Sequence, residues 1–415
     1  MVETALTIDS IGVRGDGVGL CDDERTFVPF ALPGETWQRK ADGSFTCLSA
    51  SPLRCEPLCA HFGQCGGCLA QHIDEATYQS WKMALVRQAL QQHGIAIEPA
   101  PLITVAPASR RRCVLTIQKT QDGDVLQGYY KARSHELIDI ETCPVLVAQI
   151  VAAFAGLREV GDLLLPRGAS ARVTVLVCDQ GLDVDFGDIA IANQPGLRAE
   201  LAVLAQKHAF VRLSVRGDAI VMLAQPTVQL GAVSVPPSNA SIFLQAVREA
   251  EEAMSELVVK AAGSAKSAAD LFSGAGTFSF ALARRRRVLA VDNEHGAIDA
   301  LKAGRDGAQG LKPIETLVRD LFREPLARKE LEAFDCVVFD PPRAGAEQQA
   351  RMLAKSDVAT VVAVSCNPGT LGRDAEILIA GGYELRSVQP IDQFLYSGHV
   401  ECVAVLTRPR KRRRR

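Results

Sequence analysis

Five short stretches of this chain gather side chains able to do chemistry. "CAHFGQCGGC", residues 59–68, brings Cys59, Cys65 and Cys68 within ten positions. Thiols this close can share a metal or act in catalysis. "DLFSGAGTF", residues 270–278, sets two glycines after an apolar run, where backbone can approach a ligand closely. Asp292, 22 positions after Asp270, ends the next apolar run, and a carboxylate there can accept hydrogen bonds from ribose hydroxyls. "FDPPRAG" at 339–345 carries Asp340, "SCNPGTLGRD" at 365–374 carries Cys366, and "HVECVAVL" at 399–406 carries Glu401.

Such residues need strand ends to hold them. From about Ser241 onward, short apolar runs alternate with helical segments: "SAADLF", "RVLAVD", "ETLV", "DCVVFD", "TVVAVSC", "YELRSV" and "ECVAVL". This predicts an α/β, doubly wound, mostly parallel sheet over residues 241–415, with the reactive side chains at carboxyl strand ends. Residues 1–50 alternate in short segments broken by "RGDGVG" and "PGE", which predicts a small β-barrel. Residues 51–240 read as a β-rich central region that holds the thiol cluster. One helix is predicted there, from Thr77 to His93, with Tyr78, Trp81, Leu85 and Ala89 on its apolar face.

A chain of 415 residues exceeds what one core serves, so two or three domains are expected. Apolar residues at 47% and charged residues at 23% suit a soluble globular protein. No run approaches the roughly 18 to 20 apolar residues of a membrane span, and the acidic start Met1-Val2-Glu3 is unlike a signal peptide, so a cytoplasmic location is expected. In a reducing compartment the twelve cysteines are not read as six disulfides; Cys21, Cys47, Cys55, Cys113, Cys178, Cys336 and Cys402 are read as structural. The net charge of −2 hides three basic blocks, Arg110–Arg112, Arg284–Arg287 and the terminal "TRPRKRRRR", which suggest patches for a polyanion.

The glycine loop and Asp292 fit a nucleoside cofactor. A dinucleotide fold is the rival, but its third fingerprint glycine would fall at Ser279. Asp340-Pro341-Pro342 after the fourth strand is typical of S-adenosylmethionine methyltransferases. Further motifs are Cys59-x5-Cys65-Gly-Gly-Cys68, Cys143-Pro144, Phe243-Leu244-Gln245, Asp270-Leu271-Phe272, Ser365-Cys366-Asn367-Pro368 and His399-Val400-Glu401. On these the chain resembles the RNA 5-methyluridine methyltransferases of the RumA/TrmA type over nearly its whole length, and most of all the iron-sulfur-containing members that act on 23S ribosomal RNA.

The resemblance implies a Rossmann-like methyltransferase domain, a central iron-sulfur domain and an N-terminal RNA-binding barrel of the TRAM, or OB-like, kind. It carries Gln245, Phe272, Thr277, Asp292, Asp320 and Asp340 into an S-adenosylmethionine site, with Cys366 as nucleophile and Glu401 as general base. It makes Cys59, Cys65, Cys68 and Cys143 ligands of a [4Fe-4S] cluster; on donor type alone zinc remains the rival. A monomer acting on RNA is expected, with 23S ribosomal RNA favoured over transfer RNA and Phe243 as a residue to stack on an unpaired base. The chemistry explains the pair: carbon 5 of uracil is a poor nucleophile until a thiolate adds at carbon 6, and the carbon 5 proton must then be removed. The site should therefore lower the thiol pKa or deprotonate the thiol on attack. Val247, Ser273 and Asp292 depart from the family's usual Asn, Cys and Glu. Two readings come from other classes: an iron-sulfur redox protein, which the thiol cluster permits but which does not explain "DPPR" and "SCNP", and a non-catalytic RNA-binding protein, which the barrel and basic blocks permit.

Overall fold

Strands covered on both faces are written as unbroken apolar runs, and the C-terminal sheet is built from such runs. In the computed structural model, which describes residues 4–21, 23–190 and 196–409, eight strands lie in the order Ile314–Val318, Arg287–Asp292, Ser267–Leu271, Cys336–Phe339, Thr360–Ser365, Glu401–Thr407, Glu384–Asp392 and Ile103–Thr104. The first five are mutually parallel and Glu401–Thr407 runs antiparallel between its neighbours. Strand order reverses at Ser267–Leu271, so a crevice opens at the carboxyl ends on either side of it. Because Glu401–Thr407 is reversed, its first residue lies at that same edge. Ser365 pairs with Cys402, which sets Glu401 beside the end of the strand that delivers Cys366.

The helix on the thiol side runs Glu75–Gln92 and starts two residues before the predicted Thr77, because the Asp74 side chain accepts the Thr77 amide at 3.1 Å and caps it. Tyr78, Trp81, Leu85 and Ala89 are buried as their spacing predicts. Tyr78, Trp81 and Leu85 share a core with Leu371, Ala375 and Leu378 of helix Pro368–Ala380. This helix therefore covers the C-terminal sheet although it precedes it by far in sequence. Strand Ile103–Thr104 joins the same sheet, and the hairpin Val228–Leu230/Val233–Val235 packs into its other core.

The central region forms a seven-stranded sheet, from Asp218–Met222 at one edge to Leu137–Asp139 at the other, with its own core around Leu115, Leu157, Val173 and Phe186. The N-terminal module is five antiparallel strands in the order Glu24–Val28, Gly17–Cys21, Thr4–Ile11, Thr36–Arg39 and Phe45–Ser49. Among the described residues no ladder joins its two outer strands, so the predicted barrel is not closed by hydrogen bonds. Its buried Glu35 accepts from Leu32 N, Trp37 Nε1 and Arg54 Nε, which pins the module to the segment leading into the thiols. Burial opposes these bonds, yet together they hold the Glu35 carboxyl at about 2. No helix of the described residues is long and apolar enough to cross a membrane.

Candidate active site

The cofactor side of the crevice is shaped by the turn after Ser267–Leu271. Phe272 holds a left-handed φ of 59°, rare for a residue with a Cβ, followed by Gly274 at 52° and Gly276 at 103°. Gly274 N donates to Asp292 Oδ2 at 2.8 Å, so this carboxylate fixes the glycine loop. The Phe272 ring meets the exposed ring of Phe322 with centroids 5.4 Å apart. Asp320 caps that loop by accepting Phe322 N at 2.9 Å. Asp270 accepts the Ser279 hydroxyl at 2.6 Å while its Oδ1 and the Ser273 hydroxyl are buried without a partner. Burial pushes the Asp270 carboxyl up to about 7. Ring faces, unsatisfied polar atoms and carboxylates at strand ends fit a nucleoside cofactor. Thr277, first residue of helix Thr277–Ala283, lines a separate cavity of 460 Å³ with Gly231, Glu252 and Arg284.

At the reacting side Gln245 Nε2 donates to Asp340 Oδ2 at 2.9 Å, and Gln393 Nε2 donates both to Gln245 Oε1 at 2.8 Å and to Glu401 Oε2 at 2.7 Å. Burial first, and the charge of Asp340 second, push Glu401 up to about 8; burial likewise lifts Asp340 to about 7. Cys366 is half-buried and its thiol is raised to about 11 by burial, Glu401 and Asp340, against the opposing pull of Arg343. Burial and the two carboxyls thus oppose a thiolate at Cys366, and Arg343 is the group that favours one. Arg343 donates to His399 Nε2 at 2.9 Å, and both side chains line a 780 Å³ cavity together with Cys366, Asn367, Phe30, Arg14, Lys131 and Arg133.

Cys59, Cys65, Cys68 and Cys143 line one neighbouring cavity of 340 Å³, which also reaches Arg343 and His399. Cys59 N donates to Gln71 Oε1, Gly66 N to Tyr130 O, and Leu69 N to Tyr396 O at 2.6 Å, so the thiol loop is tied to the central sheet and to the loop before Glu401. Burial raises the Cys65 and Cys143 thiols and lifts Cys68 to about 12, with neighbouring thiols adding to each. Among the described residues no group of three or more His, Cys, Asp or Glu is arranged to hold a single metal ion. Of the seven cysteines read as structural, Cys21, Cys113, Cys178, Cys336 and Cys402 are buried, whereas Cys47 and Cys55 are exposed.

The profile of the tRNA (uracil-5-)-methyltransferase family matches residues 237–409. An uncharacterized RNA methyltransferase of Brucella suis biovar 1 is 47% identical over 410 residues, covering 98% of each chain. The 23S rRNA (uracil(1939)-C(5))-methyltransferase RlmD of Pectobacterium atrosepticum is 30% identical over 96% of this chain and 92% of its own. The chain belongs to the RNA (uracil-5-)-methyltransferase family. As a solved fold, the Pyrococcus abyssi tRNA (uracil-54, C5)-methyltransferase in complex with S-adenosyl-L-homocysteine aligns with a TM-score of 0.73 over 97% of this chain and 99% of its own, at 23% identity. The protein is accordingly an S-adenosylmethionine-dependent RNA methyltransferase, and the crevice is where its carboxylates, thiol and rings converge.

In this methyltransferase each basic block has one member committed to the core, while Arg284, Arg285 and Arg287 are exposed. Arg111 is buried and ion-paired with Glu251 at 2.7 Å, Arg286 is buried against Gly263 O, and Arg408 donates to Gly381 O and Ala354 O while lying 4.4 Å from the Tyr383 ring centre. Arg408 is thus docked on the core and does not belong to a phosphate-binding tail; Arg410–Arg415 lie outside the described residues. Residues the motifs did not single out include Lys82, Tyr78, Asp392 and Gln393. Lys82 Nζ donates to Asp392 Oδ1 at 2.7 Å, to His399 O at 2.6 Å and to Phe394 O at 3.1 Å, and Tyr78 donates to Asp392 Oδ2 at 2.5 Å. The signal for them was slight: an Asp-Gln pair closing an apolar strand six residues before His399.

Proposed function

We propose that this methyltransferase makes 5-methyluridine in 23S ribosomal RNA, working as a cytoplasmic monomer, by addition of Cys366 to carbon 6 of uracil, methyl transfer to carbon 5, and proton removal by Glu401. The observation that carries the mechanism is the meeting of Cys366, Asp340 and a buried Glu401, with Glu401 raised toward neutrality, at one sheet edge. A base of that pKa can take a proton near neutral pH and give it up again. The cofactor, when bound, supplies a sulfonium-activated methyl group; Gln245, Phe272, Asp292, Asp320 and Asp340 would hold it. The 780 Å³ cavity supports an RNA strand as ligand, since it runs from Phe30 and Arg14 of the N-terminal module past Lys131 and Arg133 to Cys366. Phe243, 57% exposed and two residues from Gln245, offers a ring for an unpaired base. Ribosomal RNA is favoured by RlmD, whose likeness covers 96% of this chain. Mapping 5-methyluridine in RNA from a deletion strain is expected to show one site lost in 23S RNA and restored by the wild-type gene; loss from transfer RNA alone would favour the other substrate.

The four cysteines are proposed to hold a [4Fe-4S] cluster. The four thiols line one cavity, and four cysteines are the ligand set of a [4Fe-4S] cluster. Methyl transfer needs no electrons, so the role is structural, fastening the thiol loop to Tyr396 and Tyr130. Protein purified without oxygen is expected to be brown with about four iron atoms per chain, and Cys65→Ser to lose colour and thermal stability together. Stoichiometric zinc with no iron would overturn the assignment.

A further inference from the structure

We propose that Gln393 is a positioning residue for proton removal, holding the Glu401 carboxylate by one oxygen so that the other is left to face the pyrimidine. This role rests on the reading of Glu401 as the base and goes beyond it. Gln393 is 1% exposed, in the loop between strands Glu384–Asp392 and Glu401–Thr407. Both hydrogens of its amide nitrogen are committed, to Glu401 Oε2 at 2.7 Å and to Gln245 Oε1 at 2.8 Å, while Gln245 spends its own amide nitrogen on Asp340. With both carboxyls ionised, this direction gives each amide hydrogen an acceptor, whereas a flipped Gln393 would set oxygen against Glu401 Oε2 and Gln245 Oε1. What remains is telling. Glu401 Oε1 is buried and has no partner. A carboxylate fixed through Oε2 and open at Oε1 can accept a proton without turning.

The step balances on that oxygen. In the methylated adduct the carbon 5–hydrogen bond breaks, its proton goes to Glu401 Oε1, and its electrons form the carbon 5–carbon 6 double bond. The carbon 6–sulfur bond breaks with its pair returning to Cys366. The groups that bear on Glu401 are Asp340 beyond strand Cys336–Phe339, Cys366 beyond Thr360–Ser365, and its neighbour Cys402; Arg343 bears on Cys366, and Lys82 neutralises the Asp392 next to Gln393. Among these Gln393 alone donates to the carboxylate, so it favours the charged, proton-accepting form against burial and Asp340.

The test follows the decay of preformed covalent RNA–enzyme adduct across pH in single turnovers. Gln393→Leu is expected to slow elimination about tenfold on the acidic limb and to move that limb up by about one pH unit, with adduct formation little changed. Gln393→Glu keeps the shape, sets a third carboxyl beside Glu401 and Asp340, and is expected to move the limb further in the same direction. If adduct formation and elimination slow alike with the limb in place, the residue merely supports the fold and the proposal fails; it fails equally if both variants eliminate at the wild-type rate. Glu401→Gln run alongside separates the two layers: turnover there without trapped adduct removes the base assignment and this role with it.

Discussion

Cys366→Ala is expected to abolish both 5-methyluridine and any covalent RNA complex, whereas Glu401→Gln is expected to form the complex and keep it. Without the thiol no enolate forms, and carbon 5 has nothing with which to attack the methyl donor. Glutamine preserves the volume at position 401 and its contact with Gln393, but cannot take a proton, so addition and methylation proceed while elimination slows by about 10²- to 10⁴-fold. The trapped species should survive denaturing electrophoresis, carry labelled methyl, and vanish in Cys366→Ala/Glu401→Gln. Methylation by Cys366→Ala would rule out the covalent route. Near-normal turnover by Glu401→Gln would pass the proton to another group or to water.

The second large effect is expected in the core beneath the turn that leads to Glu401. Lys82 and Asp392 are fully buried and 2.7 Å apart. Lys82→Met keeps the length of the side chain but leaves a carboxylate in the core without a counter-charge, a change that costs about 3–5 kcal/mol when one partner of a buried pair is removed. The thermal midpoint should fall, and elimination should slow, because Lys82 also holds the Phe394 and His399 carbonyls on either side of the turn that leads to Glu401. Lys82→Met/Asp392→Leu should recover most of the stability, since neither charge then remains buried. An unchanged midpoint in Lys82→Met would mean that water or a relaxed backbone already screens Asp392.

What was legible in the sequence was whatever lies close along the chain. Asp270 lies on one strand, Phe272 in the turn after it and Asp292 at the end of the next strand, and Cys366 directly follows Ser365 at a strand end, so local patterning set them at carboxyl strand ends, while their roles came from the resemblance. Glu401 was reached only through its motif, and its position beside Cys366 depends on an antiparallel register that no local pattern specifies. The Lys82–Asp392 pair spans 310 positions and left no trace, because sequence separation carries no information about burial. Charge counting likewise cannot tell an interior guanidinium from a solvated one: Arg111 and Arg286 are buried, whereas Arg284, Arg285 and Arg287 are exposed. The helix start was missed by two residues because Asp74, an N-cap, was not read as one.

The family profile begins at residue 237, as if the reaction centre were a cassette that could be cut out there. The packing forbids it. Tyr78 and Lys82 hold Asp392, Leu69 N holds Tyr396 O, and Tyr78, Trp81 and Leu85 cover the apolar side of Leu371 and Leu378. Any exchange of N-terminal modules between relatives therefore has its junction near residue 50, between Ser49 at the end of the last N-terminal strand and Arg54, and the incoming module must replace Glu35 as the partner of Arg54 and Gly12 O as the acceptor of Trp81 Nε1.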